Sequence, residues 1–143
     1  MKAILLATCL LVTVVHAVDY EEIKGVDQDL DECRTSYVKT CVKTSPDYGS
    51  NSTELVEINA WYCTLVKRGV IDENDVFIEE NIFPYCENIT VNADYCKTIV
   101  SKCVEKANLL DSTSNVQKSL SVVKCNLESG LVDLIPKPEG ENA

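Results

Sequence analysis

Cysteines are the residues whose type and spacing carry chemistry in this chain, which has eight of them in 143 residues. Cys96 and Cys103 lie seven positions apart in a stretch with helical periodicity, so about 10 Å of helical rise separates them. A disulfide requires Cα atoms closer than about 7 Å. These two cysteines therefore share one helix face but cannot bond to each other, and each must reach a different element.

The first 17 residues have the features of a signal peptide. Lys2 precedes a short apolar run, and Val15 and Ala17 supply the small side chains that a signal peptidase accepts. Cleavage there removes Cys9 and His16, which leaves 8 − 1 = 7 cysteines and no histidine. We predict a signal peptide over residues 1–17, a helical disulfide-linked domain over residues 18–135, and a disordered acidic tail over residues 136–143. No later stretch is apolar enough to cross a bilayer, and the product is expected to be secreted.

The composition of the mature chain excludes several functions. Without histidine it cannot build a Ser-His-Asp triad, a Cys-His pair or a histidine metal site. Its acidic clusters single out no pair of carboxylates with catalytic spacing. We therefore predict no catalytic residues, no cofactor and no metal. The formal net charge of −10 for the whole sequence also argues against nucleic acid and anionic membranes as partners.

Apolar residues recur with helical periodicity through most of the chain, and strand patterns are weak. We predict an all-α, compact, disulfide-stapled domain of about five to six helices. The first helix is expected over residues 20–43. Asn51 is expected to cap the second helix with Glu54 as its capping-box partner, and Gly69 to end it.

The second half of the chain predicts three further helical segments. A short one should begin at Asp72 and end at Pro84, before a connection over residues 86–94. The fourth helix carries Cys96 and Cys103.

Ser114 and Gln117 form a capping-box pair at the start of the fifth helix, which Gly130 should end. Residues 131–135 form either one more short packed turn or an extended arm.

The cysteines on the apolar stripes are placed to staple helices to each other. A helix that carries both Cys96 and Cys103 would then lie between two other elements and be crosslinked to each of them. Each disulfide contributes about 2–4 kcal/mol, which could keep a helical shell folded around an incompletely filled centre. The alternative is that the disulfides simply protect a small secreted protein from proteolysis. Cys41, near Lys39 and Lys43, is the candidate for the odd, unpaired thiol.

Three segments resemble the fire-ant venom allergens 2 and 4. They are "INAWYCTLVKRGV" from Ile58 to Val70, "NADYCKTIVSKCVEK" from Asn92 to Lys106, and "CNLESGL" from Cys125 to Leu131. The resemblance covers residues 31–131 and includes the order of the seven cysteines. The chain departs from that family in its acidic charge, in a longer gap between Cys33 and Cys41, and in carrying two sequons.

The resemblance implies a secreted, all-helical fold related to the insect odorant- and pheromone-binding proteins. It implies three intrachain disulfides, Cys33–Cys63, Cys86–Cys103 and Cys96–Cys125. It also implies a homodimer linked through Cys41, release into venom or another exocrine secretion, and binding of a small hydrophobic ligand such as a pheromone, alkaloid or lipid.

Apolar character and helix face select five candidate ligand-lining residues: Tyr62, Leu65, Phe77, Ile82 and Val100. Each could equally be an ordinary core residue. Trp61 lies one position off the apolar stripe of its helix, which places it at an edge or at a dimer interface. The sequons begin at Asn51 and Asn88, which are candidate N-glycosylation sites in predicted loops.

Two functions follow from these features. The first is a non-enzymatic carrier of a small hydrophobic ligand, acting as a disulfide-linked homodimer. The alternative is a venom component or allergen that acts through its surface and has no physiological ligand.

Overall fold

The computed structural model describes residues 18–38, 52–110 and 113–137. Within these ranges the chain forms five α-helices followed by a 3₁₀-helix. They are α1 (Tyr20–Tyr37), α2 (Ser52–Lys67), α3 (Glu79–Ile89), α4 (Ala93–Asn108), α5 (Asn115–Glu128) and the 3₁₀-helix Leu131–Leu134. The only β-structure in the described ranges is an isolated bridge between Ile71 and Phe77. The prediction of an all-α domain is confirmed.

Several sequence predictions fall on residues that the structure does not describe. They are the signal peptide, the part of the first predicted helix after residue 38, Cys41 and the cap at Asn51. The domain boundaries stay predictions. None of the described helices combines the length and the apolar character that crossing a membrane requires.

Helices α1 and α2 form an antiparallel pair held by one disulfide and by ion pairs. Cys33 bonds to Cys63, with Cα atoms 5.9 Å apart, which is the pairing that the resemblance implies. Toward one end of the pair, Arg34 Nε lies 2.7 Å from Glu57 Oε1. Toward the other, Arg68 Nε lies 2.8 Å from Asp29 Oδ2. These contacts fix the register of the two helices.

The other two disulfides join α4 to its neighbours, but with partners that differ from those implied by the resemblance. Cys96 bonds to Cys86 of α3, and Cys103 bonds to Cys125 of α5, each with Cα atoms 5.6 Å apart. The implied Cys86–Cys103 and Cys96–Cys125 pairs are therefore wrong. Cys96 lies near the start of α4, where the chain has just turned back from α3, and so the cysteine ten residues earlier is the one within reach. The prediction that α4 is fixed to two separate elements is confirmed.

Helix α3 contradicts the prediction of a segment that begins at Asp72 and ends at Pro84. Asp72 instead lies in a turn, where its Oδ1 accepts hydrogen bonds from the backbone of Asn74 and Val76. The helix continues through Pro84 to Ile89. A proline inside a helix costs about 3 kcal/mol.

Burial explains why α3 tolerates this proline. The ring of Pro84 lies on the exposed face, and Ile82, Cys86 and Ile89 form the buried stripe on the other side. Cys86 therefore lies in a helix rather than in the predicted connection, which shortens to residues 90–92. Asn92 of this connection caps α4 by accepting from the backbone nitrogen of Tyr95.

The predicted helix boundaries around α5 are confirmed. Ser114 and Gln117 form the capping box in both directions. Gly130 follows the helix with φ of +81°, and Gly69 follows α2 with φ of +77°, a conformation that residues with a Cβ rarely adopt. Residues 131–137, here called the C-terminal arm, include the packed 3₁₀ turn. The arm is tied to the α3–α4 connection because the backbone nitrogen of Val91 donates to the Leu134 carbonyl at 2.9 Å.

Tryptic mapping without reduction tests the disulfide pairing. Cleavage after Arg68, Lys97, Lys102, Lys106 and Lys124 places Cys86 and Cys96 in one peptide, residues 69–97. The structure predicts that this peptide is released alone with an internal disulfide, and that peptide 103–106 is bonded to the peptide that begins at Cys125. Peptide 69–97 bonded to either of the other two would show that the pairing in the structure is wrong. A reduced digest is the control.

Candidate ligand-binding site

Trp61 packs against the core and also reaches a groove at the surface. It is partly buried and packs against three clusters of core residues, which include Val26 and Ile89, Leu30 and Ala60, and Ile58. Within the monomer Trp61 belongs to these core clusters and also faces a surface groove, and its place at a dimer interface stays a prediction. Helix α1 covers the side of α2 on which Trp61 lies, so a residue one position off the stripe is still enclosed.

A small cavity of about 50 Å³ adjoins Trp61 between α1, α2, α3 and the C-terminal arm. We call it the first lobe. Its lining residues are Val26, Trp61, Thr64, Leu65, Arg68, Ile82, Tyr85, Cys86, Ile89, Thr90, Cys96, Leu131 and Ile135.

The polar residues around the first lobe are paired with protein groups. The Thr64 hydroxyl donates to the Ala60 carbonyl at 2.8 Å, and the Thr90 hydroxyl donates to the Cys86 carbonyl. Burial lowers the pKa of Arg68, whereas its hydrogen bonds to Asp29 and Tyr85 raise it. The net pKa lies above the usual value, so Arg68 remains a cation. The surface that the lobe offers to a ligand is therefore hydrocarbon.

A second cavity of about 50 Å³ lies on the α5 side of Trp61. We call it the second lobe, and the two lobes together the inner cavity. Its lining residues are Trp61, Leu65, Ile82, Val123, Asn126, Leu127, Leu131 and Val132. Four of these residues, Trp61, Leu65, Ile82 and Leu131, also line the first lobe. The two lobes are therefore adjacent and have these four side chains as a common wall.

A larger space of about 520 Å³ lies at the surface between α1, α2 and the C-terminal arm. We call it the outer groove. Its lining residues are Ile23, Val26, Asp27, Leu30, Arg34, Glu57, Trp61, Ile89, Val132, Asp133, Ile135, Pro136 and Lys137. Val26, Trp61, Ile89 and Ile135 also line the first lobe. The groove therefore adjoins the inner cavity at these four side chains.

The charged residues of the outer groove lie at its edges, above an apolar floor. Arg34 donates to both carboxylate oxygens of Glu57, at 2.7 and 3.1 Å, and to Asp31 at 2.6 Å. The hydrogen bond to Glu57 raises the pKa of Arg34, which is partly offset by burial. Arg34 thus faces two carboxylates, and its contact with Glu57 fixes the wall of the groove nearest to the Cys33–Cys63 disulfide.

The structure brings two of the five predicted lining residues, Leu65 and Ile82, to both lobes. Val100 is 0% exposed and belongs to the solid core beneath the cavity. Phe77 lines a separate surface pocket between α4 and α5.

Tyr62 is also absent from the residues that line the inner cavity. Its hydroxyl donates to Asp75 Oδ1 at 2.6 Å. Burial and this hydrogen bond raise the pKa of Tyr62 well above its usual value. Its role is to hold the turn between α2 and α3.

The residues that sequence reasoning missed come from elements distant in the sequence. Val26 of α1, Ile89 of α3 and Leu131 and Ile135 of the C-terminal arm complete the walls. Each is an apolar residue on a helical or turn segment, but its inward direction depends on how that segment packs. In the sequence, the apolar "LVDLI" run of residues 131–135 is the feature that indicates a packed arm.

The remaining predicted sites lie elsewhere. Asn88 is exposed on the last turn of α3, and Thr90 of its sequon is buried. A glycan at Asn88 would project into solvent, and its occupancy stays a prediction. Within the described ranges, no group of three or more histidine, cysteine or acidic residues could hold a metal ion.

The described residues define a small helical protein with three disulfides, one of which lines a small apolar cavity. Residues 40–130 match the family model described as the ant venom allergen Sol i 2 family. Over 139 residues the chain is 32% identical to "Venom allergen 2" of Solenopsis saevissima, covering 93% of this chain and 94% of that protein. It is 33% identical over 140 residues to "Venom allergen 4" of Solenopsis invicta, covering 94% and 95%. A 29% identity over 119 residues relates it to "Venom allergen 2" of Solenopsis richteri, covering 80% and 93%. The chain belongs to the ant venom allergen Sol i 2 family.

Proposed function

We propose that this venom-allergen-family protein is a secreted, non-enzymatic carrier of a small hydrophobic ligand. The observation that supports this most strongly is the meeting of the inner cavity and the outer groove at Trp61. Apolar lining with only a few polar groups is typical of small-molecule sites.

The volumes indicate the shape of the ligand. A protein cavity of about 150 Å³ holds one benzene molecule, so a lobe of about 50 Å³ holds roughly two carbon atoms. The two lobes cannot enclose a ligand of more than about four carbons. A larger ligand therefore extends from the inner cavity into the outer groove, which favours an elongated molecule over a bulky one.

The C-terminal arm is the element that closes the junction of cavity and groove. Ile135 lines both spaces, and it is only partly buried. Because Ile135 is only partly buried, a larger side chain at this position disturbs the packing less than it would in the core.

Filling the junction tests the carrier proposal. The Ile135→Trp variant is expected to bind N-phenyl-1-naphthylamine about ten-fold more weakly than the wild type, because the indole occupies space that the probe needs. Val91→Trp is the matched control, since Val91 is 55% exposed and lines neither cavity nor groove. Probe titration should give one or two saturable sites in the wild type and in this control.

Two results would contradict the proposal. One is a wild-type protein whose probe fluorescence never saturates, which would favour a venom component that acts through its surface. The other is equal weakening in the two variants, which would place the probe outside the described cavity.

We further propose that two chains form a homodimer through a disulfide between their Cys41 residues. The three intrachain disulfides use six of the seven cysteines that follow the predicted signal peptide. Cys41 is the seventh, and it lies outside the described residues.

A non-reducing gel of the wild type and of Cys41→Ser tests the dimer. The wild type should migrate at twice the mass of the chain and the variant at the mass of one chain, because serine cannot form the interchain bond. Both should migrate as single chains after reduction. A variant that still migrates as a dimer before reduction would show that another cysteine makes the link.

A further inference from the structure

Asn126 of α5 is the exception among the buried polar residues of the described chain. The four buried polar residues are Thr64, Thr90, Ser119 and Asn126. Three of them donate their hydroxyls to backbone carbonyls, as Ser119 does to Asp75 at 2.6 Å. Asn126 is only 6% exposed, and its Oδ1 has no hydrogen-bond partner.

The position of Asn126 makes this unpaired oxygen informative. It lies on the buried stripe of α5 with Val122 and Val123, where packing alone would favour an apolar side chain. It lines the second lobe beside Trp61 and Leu127. A buried amide oxygen that has lost water without gaining another partner destabilises the fold. A partner supplied from within the lobe would remove that cost.

We propose that Asn126 selects ligands that carry a hydroxyl group on an otherwise apolar body. The hydroxyl would lie in the second lobe, where it can donate to Oδ1 and accept from Nδ2 of the same amide. Because each lobe holds only roughly two carbons, the hydroxyl must be at or near the end of the chain. The hydrocarbon would pass Trp61 and the first lobe and continue over the apolar floor of the outer groove. This inference rests on the carrier function proposed above.

The experiment compares 1-octanol with methyl heptyl ether, which has the same number of heavy atoms but no donor. Both are measured by displacement of N-phenyl-1-naphthylamine from the full mature chain. The wild type should bind the alcohol about five- to ten-fold more tightly than the ether, as expected for one buried hydrogen bond.

Two variants assign this preference to Asn126. Asn126→Leu has the same branched shape without polar atoms, and it should bind the alcohol and the ether equally, with ether affinity close to that of the wild type. Ser119→Ala is the matched control. It removes a buried hydroxyl that is already paired with the Asp75 carbonyl and that lines neither lobe, and it should keep the preference for the alcohol.

The other outcomes separate the two proposals. If both compounds displace the probe equally from the wild type, or if Asn126→Leu keeps the preference, the role of Asn126 is overturned and the carrier function stands. A resident water on Oδ1 would give this result. If neither compound displaces a bound probe, the role of Asn126 is also overturned, whereas the carrier function fails only if the probe itself does not bind with saturation. Failure of Asn126→Leu to fold, judged by circular dichroism, would also overturn the inference, since it would show that the fold itself requires the amide.

Discussion

The two disulfides of α4 are the constraint on which the rest of the structure depends. Cys96 fixes the start of this helix to α3, and Cys103 fixes its middle to α5. The Cys86–Cys96 bond is itself part of the wall of the first lobe. Leaving a lobe of about 50 Å³ empty costs about 1 kcal/mol, whereas each disulfide contributes about 2–4 kcal/mol. The crosslinks therefore offset the incomplete filling that a ligand site requires.

The α1–α2 pair forms the opposite wall and is held in a different way. One disulfide is combined there with ion pairs of Arg34 and Arg68, each of which bridges the two helices. The ion pairs are partly exposed, so each adds little free energy, but their geometry fixes the register that directs Val26 and Trp61 toward the cavity. The C-terminal arm then closes the space between this pair and α3 through Leu131 and Ile135.

Sequence reasoning predicted the features that depend on local interactions. The capping box of Ser114 and Gln117, the helix-ending glycines and the shared face of Cys96 and Cys103 follow from spacing alone, and all are present. The reasoning was wrong where tertiary packing decides. Pro84 is a strong local signal for a helix end, yet burial of the α3 stripe outweighs it. The partners of Cys96 and Cys103, and the contacts of Trp61 with three core clusters, depend on how the helices pack, which periodicity does not specify.

Quenching of Trp61 by 1-bromooctane tests the central claim most directly, since Trp61 is the only tryptophan of the chain and lines both lobes and the groove. If the disulfide-held helices enclose a cavity for a hydrocarbon chain, bromine bound beside the indole should quench its emission with saturation at low ligand concentration. The reduced, unfolded chain should show only weak, linear quenching. Equal linear quenching of the folded and unfolded protein would contradict this account.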